Sequence, residues 1–390
     1  MSGLRILFVT HAYPRFAEDG AGSFLHRLAV SLRAGGCELR VLAPSGEGLP
    51  PASEIDHIPV RRFRYAPRGM ESLAYTGSMA EQVLGSLRGK GALAGLLAAG
   101  SVAVHRTIDD FRPDIVHAHW WFPAGVLALA GVGSTPLVTT LHGSDVRLAR
   151  RVKFVHPLFR RVMSRSDAVT SVSAWLAGEA RAMAPAARLT VAPMPADTAL
   201  FTPENVERLN GRFLFVGRLN AQKGLGDLLE ALEWTPPHIT LDVVGSGADA
   251  PALRAQAERM GVATRVNWLG GVTRQQLPAI YRRAQAIVMP ARNEGLGLVA
   301  VEAQLCRTPV IAYRSGGLPD IVNAEWGGIL VTPGDTRALA EAMVRVDGEP
   351  GAVSGYGAAA RAKMLDRFAP SAVAAAHREL YRTVLSDVRS

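Results

Sequence analysis

Arg212-Phe213-Leu214-Phe215-Val216-Gly217-Arg218-Leu219-Asn220-Ala221-Gln222-Lys223-Gly224 reads as a buried strand running into a cationic loop. Gly226–Leu232 follows as a helix, so the stretch opens a βα unit. It also marks the point where a pattern begins again. Upstream, strands are predicted at Arg5–Thr10, Glu38–Ala43, Asp114–His119, Leu137–Leu141, Asp167–Ser171 and Leu189–Ala192. A helix with apolar positions Phe24, Leu25, Leu28, Ala29 and Leu32 follows the first of them and is stopped by Gly35-Gly36. Downstream, further strands are predicted at Thr240–Val244, Val266–Leu269, Ala286–Met289 and Pro309–Ala312. Ala192–Gly211, with Pro193, Pro195 and Pro203, reads as the linker.

Alternating strands and helices mean parallel α/β architecture. Two such sets around one linker predict two facing Rossmann-like domains with a cleft between them. The first would span 1–195 and the second 196–367. Residues 368–390 would form a C-terminal helix, with packing back on the first domain as one of two placements. Ligands in such folds bind beyond the carboxyl ends of the strands.

The 390 residues are long enough for two ordinary cores, and 48% are hydrophobic, which excludes a disordered chain. The charge-free run Ala92–Val104 and the run Trp120–Gly133 fall short of a membrane span, and Met1–Thr10 carries no secretory pattern. Cys37 and Cys306 have no metal-ligand spacing, and two distant cysteines make no disulfide framework, so a cytoplasmic setting is expected. The formal charge of +9 is uneven: residues 1–195 carry +8 and residues 196–390 carry +1. Cations cluster at Arg61–Arg68 and Arg147–Arg165. In the second cluster Leu158, Phe159, Val162 and Met163 fall at helical spacing, which reads as an amphipathic helix. Such a helix suits an anionic membrane surface or is a solvated face. No nucleic-acid motif accompanies it, and nucleic acid is not an expected partner.

The strand ending at Met289 leads into Pro290-Ala291-Arg292-Asn293-Glu294-Gly295-Leu296-Gly297-Leu298, and a helix is predicted from Leu298. Backbone N–H groups at a helix start bind anions, and Glu294 just before it could accept hydrogen bonds from sugar hydroxyls. Glu302, one turn on, suits a ribose diol or else pairs locally. Arg218 and Lys223, on a loop straight after a strand, suit a diphosphate or else form a surface ion pair. Gly245-Ser246-Gly247-Ala248-Asp249-Ala250 fits a dinucleotide fingerprint after a strand. The acid that fingerprint requires about 20 residues on is missing, since Arg265-Val266-Asn267 stands there. That removes the support for a dehydrogenase, and the same glycines fit a sugar-nucleotide domain. His117 and His119 at a strand end have no third residue spaced as a metal ligand, so no metal site is expected.

The spacing Gly217-Arg218…Lys223-Gly224, then Glu294 and Glu302, resembles the retaining glycosyltransferases of family 4, which have the GT-B fold. The likeness runs along nearly the whole chain: Tyr13-Pro14 with Gly20-Ala21-Gly22, Asp114-Ile115-Val116-His117-Ala118-His119-Trp120, Thr140-Leu141-His142-Gly143-Ser144-Asp145, Ser171-Val172-Ser173, and Gly316-Gly317-Leu318-Pro319-Asp320-Ile321. Pro193-Met194-Pro195-Ala196-Asp197 departs from it, with Pro195 in place of a flexible glycine.

The resemblance implies an acceptor-binding first domain and a donor-binding second one. Arg218 and Lys223 would hold the donor diphosphate, with Gly22 and Gly245 near the donor. Glu294 and the amides of Gly295, Leu296, Gly297 and Leu298 would hold the donor sugar, and Glu302 the ribose. His142 would lie beside the reacting sugar, and His119 and Asp145 on the acceptor side. Arg218, Lys223, Glu294 and His142 are thus the expected catalytic set. No Asp-x-Asp pair of the metal-dependent kind is present.

The expected activity is metal-independent transfer, with no cofactor, from a UDP- or GDP-sugar to a lipid-linked oligosaccharide, glycolipid or polysaccharide precursor, and with retained configuration. The expected place is the cytoplasm, extending to the inner membrane face through the basic domain. The alternatives are a disaccharide synthase or phosphorylase, a nucleotide-sugar epimerase, and a non-enzymatic basic binding module.

Overall fold

The structure is a computed structural model that describes residues 3–16, 19–75, 79–326 and 328–389. Two compact units divide the chain. One is Met1–Pro195 with Pro370–Ser390, and the other is Ala196–Ala369. The second break therefore falls two residues after the one expected at 367/368, where Ala369 ends the helix preceding Pro370.

In the first unit the elements run β1 (Arg5–Val9), α1 (Ser23–Ala34), β2 (Glu38–Pro44), β3 (Ala52–Ile55), β4 (Ile58–Phe63), α2 (Met79–Gly85), α3 (Leu87–Phe111) and β5 (Ile115–His119). They continue α4 (Val126–Gly131), β6 (Leu137–Leu141), α5 (Ser144–Arg151), α6 (His156–Arg165), β7 (Ala168–Ser171), α7 (Ala174–Met183) and β8 (Leu189–Val191). The sheet order is β3-β4-β2-β1-β5-β6-β7-β8. Its pairs are parallel except the edge pair β3/β4. The sheet reverses direction of growth between β1 and β5, so the loops after these strands form the switch point where ligands bind in such sheets.

In the second unit the order in the chain is β9 (Arg212–Val216), α8 (Leu225–Glu233), β10 (Thr240–Val244), α9 (Ala250–Arg259), β11 (Val266–Gly270), α10 (Leu277–Arg283), β12 (Ala286–Met289), α11 (Leu298–Leu305), β13 (Val310–Tyr313), β14 (Gly328–Val331), α12 (Thr336–Gly348) and α13 (Pro350–Phe368). The sheet β11-β10-β9-β12-β13-β14 is wholly parallel. Within the unit that is the 3-2-1-4-5-6 order of a dinucleotide-binding sheet, with its switch point between β9 and β12. Phe213, Phe215, Leu241 and Val288 bury the strands against Leu228, Leu229 and Leu232 of α8 and Leu339 and Met343 of α12.

The last helix, α14 (Pro370–Arg389), belongs to the first unit. Arg378 donates to the Gly35 carbonyl at 2.6 Å, and the buried Tyr381 hydroxyl meets His117 Nδ1 at 2.8 Å.

One element was not anticipated from sequence, and two expectations change. The hairpin β3–β4 turns on Asp56 and His57, both with positive φ, without the glycine that usually betrays such a turn. The amphipathic stretch is α6, where Phe159, Val162 and Met163 are buried in the unit's own core and Leu158 alone of the four is exposed. The run Ala92–Val104 lies inside α3, whose 25 residues are long and apolar enough to cross a membrane by length and composition. Ala92, Leu96, Gly100, Val104 and Phe111 of α3 face the first unit's core.

Candidate active site

At the switch point of the second unit, the loops after β9, β12 and β13 meet. Asn220 turns the first loop by accepting from the Lys223 backbone N–H at 3.3 Å. Lys223 then places its Nζ 2.7 Å from Glu294 Oε2, and both side chains are less than a fifth exposed. Arg292 N–H donates to the Gln222 carbonyl at 2.9 Å, tying the second loop to the first. The Ser315 hydroxyl accepts from Asn293 N–H, and Gly317 N–H donates to the Glu294 carbonyl at 2.8 Å, tying the third loop to the second. Arg218 is exposed on the first loop, with no ion-pair partner among the described residues.

Gly295, Leu296 and Gly297 are buried, and Leu298 opens α11. Gly245 is required by the fold itself. A Cβ there would sit 1.9 Å from the Gly217 carbonyl oxygen, at a φ of +140°. That contact presses the end of β10 against the cationic loop after β9.

Glu302 is buried in α11 and has local partners. The Tyr281 hydroxyl donates to its Oε2 at 3.2 Å, and Arg274 Nη2 lies 3.7 Å from its Oε1. The same Arg274 nitrogen is 3.4 Å from Asp197. Local pairing of Glu302 is thus observed, and a ribose would have to share this carboxylate with Arg274.

The first unit gathers His119, His142 and Asp145 at the ends of β5 and β6. His119 is fully buried, with Nδ1 3.2 Å from His142 Nε2. Its stacked neighbour His117 has both nitrogens engaged, one by Tyr381 and the other by Thr140 Oγ1 at 2.6 Å. That leaves His117 no nitrogen for a metal. Trp120 lies over the His142 ring at 4.3 Å, and Phe24 of α1 flanks it at 5.3 Å.

Asp145 is buried and accepts from the backbone N–H groups of Trp121, His142, Gly143 and Val146 at 2.9–3.1 Å. Burial nonetheless pushes its carboxyl above the ordinary carboxylate value. His119 and Asp145, expected on the acceptor side, are both buried and each is hydrogen-bonded to His142. Gly22 caps α1 at φ +69°, and a Cβ on it would meet the Ala12 carbonyl oxygen at 2.5 Å. Its own loop requires the glycine.

Burial is the first cause of a set of lowered imidazoles here. His142 is pushed down to about 3 and His11 to about 4, while His117, His119 and His377 are lowered as well. These rings are neutral at physiological pH.

Sequence reasoning missed Asn220, Ser315, Tyr281, Arg274 and Tyr381. Asn220 carried a signal, a capping residue three before the lysine it turns. The others meet their partners over long separations that no local pattern encodes.

The family profile described as Glycosyl transferases group 1 matches residues 203–351, and that described as Glycosyltransferase Family 4 matches residues 19–200. Glycogen synthase of Mycobacterium tuberculosis is 29% identical, over 97% of this chain and 94% of that protein. The GDP-mannose-dependent alpha-(1-6)-phosphatidylinositol monomannoside mannosyltransferase of Mycolicibacterium smegmatis is 30% identical, over 64% of this chain and 72% of its own. Among solved structures, sucrose-phosphate synthase from Thermosynechococcus elongatus superposes with a TM-score of 0.81 at 22% identity, over 98% of this chain and all of that one.

Proposed function

This chain belongs to the group 1, family 4 type of glycosyltransferases with the GT-B fold, and on that premise we propose that it moves a sugar from a nucleoside-diphosphate sugar to a hydroxyl of a saccharide or glycolipid acceptor. The observation that carries the donor reading is the Lys223–Glu294 pair at the β9/β12 switch point. One member suits a diphosphate and the other suits sugar hydroxyls. A donor carrying both groups gives each a new partner.

In the proposed step the bond from the anomeric carbon to the diphosphate oxygen breaks. A bond to the acceptor oxygen forms on the same face, and the hydroxyl proton leaves with the nucleotide. Arg218 and Lys223 take the charge developing on the leaving group, which is electrostatic catalysis by preplaced cations and calls for no metal. Glu294 holds the donor sugar, and Glu302 holds the ribose.

Similarity to a glycogen synthase and to a lipid mannosyltransferase supports a saccharide or glycolipid acceptor without choosing between them. A membrane-side acceptor draws support from Phe154, which is 85% exposed between α5 and α6. Exposed Arg151, Lys153, Arg160 and Arg161 accompany it in the chain. An aromatic set among cations suits an anionic cytoplasmic membrane face. Sedimentation with phosphatidylserine vesicles at low salt tests that part, and binding that survives Phe154→Asp unchanged counts against it.

Calorimetric titration with UDP, GDP, ADP and NAD, without metal, tests the main reading. Micromolar binding of one nucleoside diphosphate, lost in Arg218→Ala, is the expected result. Binding of none, or of NAD alone, would overturn it. Phosphate-dependent turnover would point to a phosphorylase, and product from donor alone to an epimerase.

A further inference from the structure

The loop between β6 and α5 holds His142 between an aromatic wall and a buried histidine, and that arrangement limits what the ring can do. A neutral imidazole has one N–H and one lone pair, on different nitrogens. His119 Nδ1 and His142 Nε2 face each other at 3.2 Å, so one of them donates and the other accepts. The deciding atom is the far nitrogen of His119. Its Nε2 is buried and has no hydrogen-bond partner.

If His142 were the donor, His119 would carry its proton on Nε2, as a buried N–H with no acceptor. If His119 is the donor, Nε2 is only a bare lone pair. Orphaned buried N–H groups are rarer in proteins than under-satisfied acceptors. The surroundings fit the second case. His119 stacks on His117 at 4.1 Å and meets Phe8 edge to face at 4.6 Å. Among the groups around the His142 ring, Trp120 and Phe24 are uncharged, His11 and His377 are themselves imidazoles lowered by burial, and Asp145 is occupied with four backbone N–H groups.

We infer that His119 is a positioning residue that fixes His142 as the Nδ1–H tautomer, so that His142 serves as a neutral hydrogen-bond donor to a ligand oxygen rather than as a general acid or base. The choice of ligand oxygen rests on the glycosyltransferase reading, since the family resemblance implies a sugar beside His142. The tautomer does not rest on it. His142 Nδ1 has no partner among the described residues, and the residue as a whole keeps part of its surface exposed. A donor there can meet a sugar hydroxyl. It cannot take that hydroxyl's proton, because its own acceptor nitrogen is already used by His119.

The test is long-range proton–nitrogen correlation NMR on the full-length protein labelled with nitrogen-15 histidine, with the His142 signals assigned by their loss in His142→Gln. The expected spectrum shows His142 protonated on Nδ1 and unchanged from pH 5.5 to 8.5. His119→Leu should turn it into a mixture of tautomers, and His119→Asn, whose amide nitrogen stands near the Nδ1 position, should restore the single form. A His142 protonated on Nε2 in the unaltered protein, or titrating near neutral pH, would overturn the inference. The unaltered spectrum decides this even if His119→Leu fails to fold. Titration with UDP and GDP is a separate readout. Loss of nucleotide binding with the tautomer intact would sink the donor reading and leave this one standing.

Discussion

Lys223 and Glu294 neutralise each other at 2.7 Å, and that fixes how each should respond to substitution. Glu294→Gln frees the ammonium for a diphosphate and removes the acceptor of sugar hydroxyls. Bare nucleoside diphosphate should then bind as well as before or up to about tenfold tighter, while sugar transfer falls by about 100-fold or more, roughly 2.7 kcal/mol. Lys223→Ala should weaken the bare nucleotide and the nucleotide sugar together. Calorimetry beside a turnover assay separates the two patterns, and equal losses of bare nucleotide in both variants would refute the division of labour. These two residues were legible because strand ends and a helix start concentrate polar groups that a core cannot use. Arg274 was not. Its meeting with Glu302 and Asp197 joins three distant segments, and a lone arginine after a strand carries no signal of that.

The elements themselves were largely legible where burial on both faces makes a strand a continuous apolar run, as in β1, β9 and β12, and nearly so in β6 and β10. Of the edge strands, β8 and β11 were legible and β3 and β14 were not: β3 is half exposed and half polar, and β14 is a four-residue run that opens on a glycine. The placement of α14 was undecidable from sequence, because Tyr381 and Arg378 reach partners more than 260 residues away. Two elements give predictions. At the end of β10, Gly245→Ala would force a Cβ to within 1.9 Å of the Gly217 carbonyl, so the cationic loop must shift. Nucleotide affinity should fall at least tenfold and stability by about 2 kcal/mol or more. Unchanged affinity in a folded variant would show that the loop's position does not matter. On α14, Tyr381→Phe removes the partner of a buried His117 nitrogen. It should cost the first unit about 1–3 kcal/mol in a denaturant titration, with nucleotide binding to the second unit retained.

Across the molecule the histidines are distributed as unevenly as the charge. Nine of the ten lie in the first unit, and the second has only His238, which is exposed. Five of the nine have imidazoles lowered mainly by burial, His142 to about 3 and His11 to about 4. The unfolded chain takes up their protons near the ordinary value of about 6.5, and the folded unit does so only below it. Below 6.5 the unfolded state therefore binds more protons, and stability falls as pH falls. The contribution is complete above 6.5 and is lost progressively down towards 4 and 3. Between pH 7 and 5.5 a ring held as low as His142 or His11 costs about 1 kcal/mol, and the other three act in the same direction, which is a large share of a domain's stability. The second unit has no buried imidazole among its described residues to respond in this way. Thermal unfolding followed from pH 7.5 to 5 should separate into two transitions, the earlier one belonging to the first unit and moving steeply down. Fluorescence can assign them, since Trp120 and Trp121 report on the first unit and Trp268 on the second. A first-unit transition that holds its temperature to pH 5 would mean that the imidazoles become charged without unfolding, and that the His119–His142 contact is wetter than its geometry indicates.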